Sequence, residues 1–70
     1  MKTIRDQINI FLEVAKLPAT RLSKESGVNS VYISRLRSGK QKDTFSQKAD
    51  ALRQAMYRLN FAAARAALEE

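Results

Sequence analysis

The chain carries a run of cations beyond its first glycine, Gly27. Residues 29–42 contain no acidic side chain. They contain four basic ones, Arg35, Arg37, Lys40 and Lys42. Lysine and arginine bind phosphate groups, and a guanidinium can also donate two hydrogen bonds to the O6 and N7 atoms of guanine. Because a surface that serves solubility alone usually mixes both signs of charge, this pattern indicates contact with a polyanion.

The charge of the whole chain favours the same kind of partner. Thirteen Lys and Arg against seven Asp and Glu give the 70 residues a formal net charge of +6 and a pI near 10.2. Residues 21–42 hold six of these cations and one acid, Glu25, so most of the surplus lies there. In so small a domain, this concentration predicts a polyanionic partner.

The residue types exclude most catalytic chemistry. The sequence has no histidine and no cysteine, which removes the commonest general base, the commonest metal ligands and any disulfide. It also has no nucleophile–base pair and no glycine-rich phosphate loop. We therefore expect no enzyme activity, metal, cofactor or small-molecule ligand. No apolar run approaches the roughly 20 residues of a membrane span and no leader pattern is present, so we expect a soluble, cytoplasmic protein.

The element that must position the cations is predicted from residues 19–38, ATRLSKESGVNSVYISRLRS. The pattern is typical of a short helix, a tight turn and a second helix. Gly27 suits the turn because glycine adopts the left-handed conformation of a helix C-cap without steric cost. Asn29 or Ser30 can cap the second helix. One helix of such a pair fits the major groove of B-DNA while the other braces it.

The second helix of this pair has a narrow apolar stripe, made by Val28, Ile33 and Leu36. The residues left facing outward are Ser30, Val31, Tyr32, Ser34, Arg35 and Arg37. A plain helical hairpin in a small bundle would give the same spacing. Two features favour DNA binding over that alternative. Ser23 supplies the small side chain that a close helix crossing needs, and residues 29–42 lack acids.

The remaining pattern predicts an all-α fold of four to five short helices in one domain, residues 1–70. The expected helices are 3–15, 18–26, 29–37, 44–59 and 61–68. Thr3 and Asp6 match a capping box for the first helix, and Thr44 and Gln47 match another for the fourth. Pro18 ends the first helix, because proline disfavours helical geometry in the residue before it.

Asn60 leaves two interpretations of the C-terminal part. Asparagine tolerates a left-handed cap, so a short fifth helix can begin at Phe61. Alternatively, the alanines of FAAARAALEE extend the fourth helix, because alanine has the highest helix propensity. We expect a break or bend at Asn60. Glu69 and Glu70 lie unfavourably at a helix C-terminus, so this end is expected to fray.

The stretch RLSKESGVNSVYISRLRSGK resembles the lambda-repressor and Cro-like helix-turn-helix family of phage and bacterial transcription regulators. The places of the small residue, glycine turn, apolar plug, core pair and closing glycine hold Ser23, Gly27, Val28, Ile33, Leu36 and Gly39. The resemblance covers roughly residues 3–59. It implies a five-helix domain that binds double-stranded DNA through its third helix. It also implies a two-fold homodimer on a near-palindromic operator, in a bacterial host cell.

The same resemblance assigns roles to single residues. The places that meet bases hold Ser30, Val31 and Arg35, with Tyr32 and Ser34 next to them. The places near phosphates hold Asn29, Lys40 and Lys42. The family often has glutamine at the start of the second helix, bound to a phosphate. Here that place holds Ala19, and Thr20 or Arg21 can substitute. The charge of Arg37 is also expected to neutralise a phosphate.

Each base-reading assignment has an alternative. Arg35 can pair with guanine or touch only phosphate. Val31 suits a thymine methyl group, but it can also pack against a neighbouring loop. Ser30 can bond a base or cap its helix. Tyr32 can lie over the sugar-phosphate backbone or cover the edge of the core.

The C-terminal stretch from Leu59 to Leu68 is a candidate dimer interface. Phe61 and Leu68 lie seven positions apart, and the alanines between them permit close helix approach. The alternative is that Phe61 completes the core of the monomer. Because one small domain rarely makes enough contacts for tight specific binding, we expect dimerisation.

These patterns predict a sequence-specific DNA-binding transcription regulator, in particular a small Cro-like phage or prophage repressor that occupies an operator. One alternative is an accessory DNA-binding factor, such as an excision or replication protein or an antitoxin. An alternative of another class is a basic helical module that binds an acidic protein partner.

Overall fold

The computed structural model describes residues 3–41 and 46–69, which form five α-helices and no strand. The helices are α1 (Ile4–Ala15), α2 (Ala19–Ser26), α3 (Ser30–Ser38), α4 (Ser46–Leu59) and α5 (Phe61–Leu68). The predicted all-α class with five helices is confirmed. The first three helices begin one residue later than predicted, because Thr3, Pro18 and Asn29 are caps. The predicted start of the fourth helix at Thr44 lies outside the described residues.

Local signals form both ends of α1. The Thr3 hydroxyl accepts a hydrogen bond from the N–H of Asp6 at 3.2 Å, and the Asp6 carboxylate accepts one from the N–H of Thr3 at 3.3 Å. The predicted capping box is therefore present. At the other end, Lys16 takes the left-handed conformation with a φ of 57°. The chain turns there and reaches Pro18, which is the N-cap of α2.

Asn60 separates α4 from α5, so the predicted break is confirmed. The left-handed cap expected there is wrong: the Asn60 backbone is extended, with a φ of −159°, and Asn60 is the N-cap of α5. Its side-chain oxygen accepts a hydrogen bond from the N–H of Ala63 at 3.0 Å. The helix propensity of the alanines does not carry α4 onward, because Asn60 satisfies an N–H that would otherwise lack a partner at the start of α5.

The C-terminal end of α5 is held more firmly than predicted. The Glu69 carboxylate accepts a hydrogen bond from the Tyr57 hydroxyl at 2.8 Å and another from Nε of Arg65 at 3.3 Å. The unfavourable position of an acid at a helix C-terminus is thus offset by two partners. These two contacts argue against fraying at Glu69, and Glu70 lies outside the described residues.

The core joins all five helices. Its largest fully buried side chains are Phe11, Ile8, Leu22, Ile33, Leu36, Leu52 and Met56. Three buried alanines, Ala63, Ala64 and Ala67, let α5 pack closely against α1 and α4. Helix α2 packs against α3 and α4, and α3 also packs against α1. A scaffold of α1 and α4 therefore holds the α2–α3 pair.

Candidate nucleic-acid interface

The turn between α2 and α3 is fixed by two serines as well as by its glycine. Gly27 has a φ of 76°, and its N–H donates to the carbonyl of Ser23 at 2.9 Å. The Ser23 hydroxyl donates to the carbonyl of Val28 at 2.6 Å, and the Ser26 hydroxyl accepts from the N–H of Val28 at 3.1 Å. Both backbone groups of the buried Val28 are therefore bound, which sets the angle between the helices.

The sequence predicted only the small size of Ser23. Its hydrogen bond to the Val28 carbonyl was missed, although the signal was present as a hydroxyl on the residue predicted to lie at the helix crossing. At Gly27 the conformation alone requires glycine, because a Cβ added there would meet no atom within 4 Å.

Asn29 is the cap of α3. Its side-chain oxygen accepts a hydrogen bond from the N–H of Val31 at 2.7 Å. Of the two caps that the sequence allowed, Ser30 is therefore not used, and it is the first residue of the helix. The side-chain amide of Asn29 keeps its own N–H donors, so the residue can cap the helix and still contact a phosphate.

The face of α3 opposite the core is open. Ile33 and Leu36 are fully buried, as predicted. With about 100° per residue, Val31, Ser34 and Arg35 lie on the far side of the helix from them. All three are exposed, and so is Ser30. Val31 is 59% exposed, which is too much for a side chain packed against a neighbouring loop.

Tyr32 lies on a flank of α3 rather than on its outer face. It is half-buried and packs against the core, so the prediction that it faces outward is wrong. The alternative, that its ring covers the edge of the core, fits the structure better. The ammonium of Lys48, from α4, lies 4.1 Å from the centre of the Tyr32 ring. Tyr32 is therefore less accessible than its exposed neighbour Val31.

Arg37 lies on the other flank of α3 and contacts α1. Its Nε donates a hydrogen bond to the side-chain oxygen of Asn9 at 2.8 Å. The amide nitrogen of Asn9 in turn lies 3.5 Å from the carbonyl oxygen of Arg37. Arg37 remains exposed, but its guanidinium is oriented by a residue that the sequence analysis did not identify.

A cation from α1, Arg5, lies at the C-terminal end of α3. Gly39 ends the helix with a φ of 85°, as predicted. A Cβ added to Gly39 would lie 3.2 Å from a terminal nitrogen of Arg5, so the glycine lets this guanidinium lie against the turn. Lys40 follows and is exposed. The sequence spacing did not predict that Arg5 of α1 lies at the end of α3. Lys42, a predicted phosphate contact, lies outside the described residues.

The start of α2 has the predicted polar side chains. Thr20 and Arg21 are both exposed in its first turn. Pro18, at the N-cap, makes no side-chain hydrogen bond to the helix. The first N–H groups of α2 therefore have no side-chain cap and can meet an anion.

The ion pairs of the described residues do not neutralise the positive charge of α3. Within residues 3–41 and 46–69 they join Asp50 to Arg53, Glu25 to Arg58 and Glu69 to Arg65. None includes a cation of α3 or Lys40. Glu25, the single acid of residues 21–42, accepts from Nε of Arg58 at 2.9 Å, and Nη2 of Arg58 also reaches the Glu25 carbonyl at 3.1 Å. The acid nearest to the turn is thus neutralised from α4.

The proposed dimer residues separate into two groups. Phe61 is 62% exposed and its ring lies 5.4 Å from that of Tyr57, so the alternative that it completes the monomer core is wrong. Leu59 and Leu68 are partly buried against the core and contribute less to the surface. Ala62 and Ala66, beside Phe61, are exposed.

The described residues contain neither a cluster of metal-ligating side chains nor a membrane-spanning helix. No three His, Cys, Asp or Glu side chains come together there as metal ligands would. Across the same ranges, every helix is too short or too polar to cross a membrane.

No protein-family model, curated protein or solved structure matches this chain. A proposal for its function must therefore be argued from the geometry and charge of α2, α3 and their neighbours.

Proposed function

We propose that this chain is a sequence-specific DNA-binding protein that inserts α3 into the major groove. One observation carries the proposal. The outer face of α3 is exposed, and the cation on it, Arg35, and those beside it, Arg37 and Lys40, have no carboxylate partner among the described residues. The braced turn at Gly27 supports it, because a recognition helix must keep a fixed angle to the helix that crosses the backbone. Both features support a lambda-repressor-like fold, which is part of the proposal.

Bases are read by the outer face of α3. Arg35 pairs with guanine through O6 and N7, a contact worth about 1–3 kcal/mol of discrimination. Val31 meets a thymine methyl group, which explains an exposed valine near the start of a helix. Ser30 and Ser34 flank these two and supply short hydrogen-bonding groups.

Phosphates are bound around this face. Arg37, Lys40 and the newly identified Arg5 form a cationic group at the C-terminal end of α3. A second group of phosphate contacts comes from the start of α2, through Thr20, Arg21 and the N–H groups that have no side-chain cap. The side-chain amide of Asn29 also contacts a phosphate. Lys42 is proposed to act with Lys40. These contacts raise affinity and salt dependence without choosing a sequence.

The biological unit is proposed to be a homodimer that uses the exposed face of α5. Phe61, Ala62 and Ala66 form a small apolar surface there, and Tyr57 widens it. Two identical patches can meet about a two-fold axis, and the dimer then matches a near-palindromic operator. Dimerisation also doubles the DNA contacts of a domain that is small for tight binding.

The role is that of a small Cro-like phage or prophage repressor in a bacterial cytoplasm, which occupies an operator and blocks a promoter. An accessory factor for excision or replication, or an antitoxin, would use the same surface. A basic module that binds an acidic protein would need the cations but not the exposed Val31 and serines between them. No catalytic step is proposed.

Selection of bound sites from random duplex DNA tests this function. We expect enrichment of a paired motif whose half-sites lie about one helical turn, or a multiple of it, apart. Salt-dependent binding with no enriched motif would overturn sequence-specific recognition. If, in addition, an acidic protein bound more tightly than mixed-sequence duplex DNA, the protein-interaction alternative would be favoured.

A further inference from the structure

We propose that Lys48 of α4 is a phosphate contact of this protein and that Tyr32 is its positioning residue. The inference rests on the proposed DNA binding and extends the interface beyond the helix-turn-helix. It starts from the Lys48 ammonium, which lies 4.1 Å from the centre of the Tyr32 ring. A cation over an aromatic face is attracted by the ring quadrupole, so the tyrosine restricts where the lysine points.

The position of Tyr32 on α3 decides which part of the groove Lys48 meets. Tyr32 and Arg37 are five residues apart, so they lie about 140° apart around the helix axis. Ile33 and Leu36, which are buried, lie between them on the core side. The two side chains therefore mark opposite flanks of α3, with Val31 and Arg35 on the outer face between those flanks.

A helix in the major groove has a phosphate backbone on each side. The groove is about 12 Å wide, so an inserted helix nearly fills it and both backbones come close to its flanks. On one flank Arg37, oriented by Asn9, provides a cation. On the other flank α3 offers the half-buried ring of Tyr32, and the cation comes from Lys48. Lys48 thus adds a positive charge to this flank, where the nearest cation of α3, Arg35, lies three residues from Tyr32 and is assigned to a base.

The surroundings of Lys48 leave its charge for a ligand. It is exposed and makes no ion pair among the described residues. Asp50, two positions further on, is engaged by Arg53 at 3.7 Å.

The test is a salt series of duplex binding, followed by anisotropy of a fluorescein-labelled mixed-sequence duplex. We expect K48Q to lower the slope of log K against log salt by about one unit, equally on any sequence. K48R keeps the charge and should keep the slope. K24Q removes an equal charge from the end of α2 nearest the turn and should also keep it. An unchanged slope in K48Q, or an equal loss in K24Q, would overturn the proposal.

The role of Tyr32 needs a second measurement. In the protein without DNA, we expect the Lys48 side-chain NMR signals to be shifted upfield by the ring current, and the shift to persist in Y32F and disappear in Y32L. Y32L should weaken duplex binding of the wild type, yet not weaken K48Q further. A further loss in the double variant would show that Tyr32 does not act through Lys48. If the wild type bound no duplex in a salt-dependent manner, the proposed function itself would fail, an outcome distinct from those above.

Discussion

The guanidinium of Arg37 is held to the amide of Asn9, across 28 positions of sequence. The 2.8 Å hydrogen bond from Nε uses one edge of the guanidinium and leaves both terminal nitrogens for a phosphate. The same amide lies close to the Arg37 carbonyl, so it orients the backbone and the side chain of the last turn of α3 together. An arginine oriented before it binds loses less side-chain entropy on binding.

Replacing Asn9 by aspartate should separate stability from DNA binding. A carboxylate still accepts from Nε of Arg37, in a charge-assisted hydrogen bond that is stronger than a neutral one. Its negative charge also cancels the cation that the phosphate would meet. We expect N9D to unfold in urea with a free energy no lower than that of the wild type. Its duplex binding should lose about one unit of salt slope.

The matched control is N9A. It leaves Arg37 charged but unheld, so we expect an intact salt slope and a free energy of unfolding that is lower by about 0.5–1.5 kcal/mol. If N9D kept the full slope, Arg37 would not be a phosphate contact.

Ser23 should stabilise the turn through its hydroxyl rather than its size. In S23A the volume hardly changes, but the Val28 carbonyl loses its 2.6 Å hydrogen bond from the Ser23 hydroxyl. We expect the free energy of unfolding to fall by about 0.5–1.5 kcal/mol in urea denaturation followed by circular dichroism. S34A, at an exposed position on α3, serves as the control and should change stability by less than about 0.5 kcal/mol. Equal stabilities for S23A and wild type would mean that a small side chain alone suffices.

Arg35 and Lys40 should differ in how their loss affects sequence preference. R35A removes the only guanidinium on the outer face of α3, so its selected sites should lose preference at one base position in each half-site. The cost on the preferred site is about 1–3 kcal/mol. K40A should weaken all duplexes alike and lower the salt slope by about one unit. Both are measured by competition between the selected site and single-base variants of it. Uniform weakening by R35A would reduce its role to phosphate binding.

Local signals predicted much of this fold. The capping box of Thr3 and Asp6 and the left-handed glycine at 27 are present as predicted, whereas Asn60 breaks the helix as an extended N-cap and not through the expected left-handed cap. Each of these acts within four residues along the chain. Such interactions depend on the neighbours in sequence, so residue type and spacing are enough to place them. The buried pair Ile33 and Leu36 was predicted for the same reason, from helical periodicity.

The contacts that shape the candidate interface are of another kind. Arg58 reaches Glu25 from 33 positions away, and Lys48 reaches Tyr32 from α4. Helical periodicity predicts which residues of a helix are buried in the core and which are not. It does not predict which neighbouring helix packs against each flank. The outward assignment of Tyr32 failed for this reason, because its ring packs against the core and lies beside Lys48 of α4. Arg5 was missed likewise, since only the packing of α1 brings it to Gly39.

Phe61 should control self-association. It is the large apolar side chain on the exposed face of α5, and removing it takes apolar area from the proposed interface without opening the core. We expect F61S to sediment as a monomer at concentrations where the wild type is a dimer. On a full operator it should bind with lower affinity, but on a single half-site it should match the wild type. A wild type that is monomeric both alone and on a full operator would contradict the dimer.

The pKa of Tyr57 should lie above that of free tyrosine. The Tyr57 hydroxyl donates a hydrogen bond to the Glu69 carboxylate at 2.8 Å, and this hydrogen bond is the main cause of the raised pKa. A raised pKa in the folded state means that folding favours the neutral phenol. Its contribution to stability is therefore complete below the unfolded pKa of about 10 and is lost as the pH rises through the higher folded pKa. The Y32F variant leaves Tyr57 as the single tyrosine, so its ultraviolet absorbance can be followed against pH. We expect a midpoint above that of free tyrosine, and a return towards the free value when E69A is added. A midpoint that E69A leaves unmoved would show that Glu69 does not hold the hydroxyl, and the end of α5 would then fray as its acidic residues first suggested.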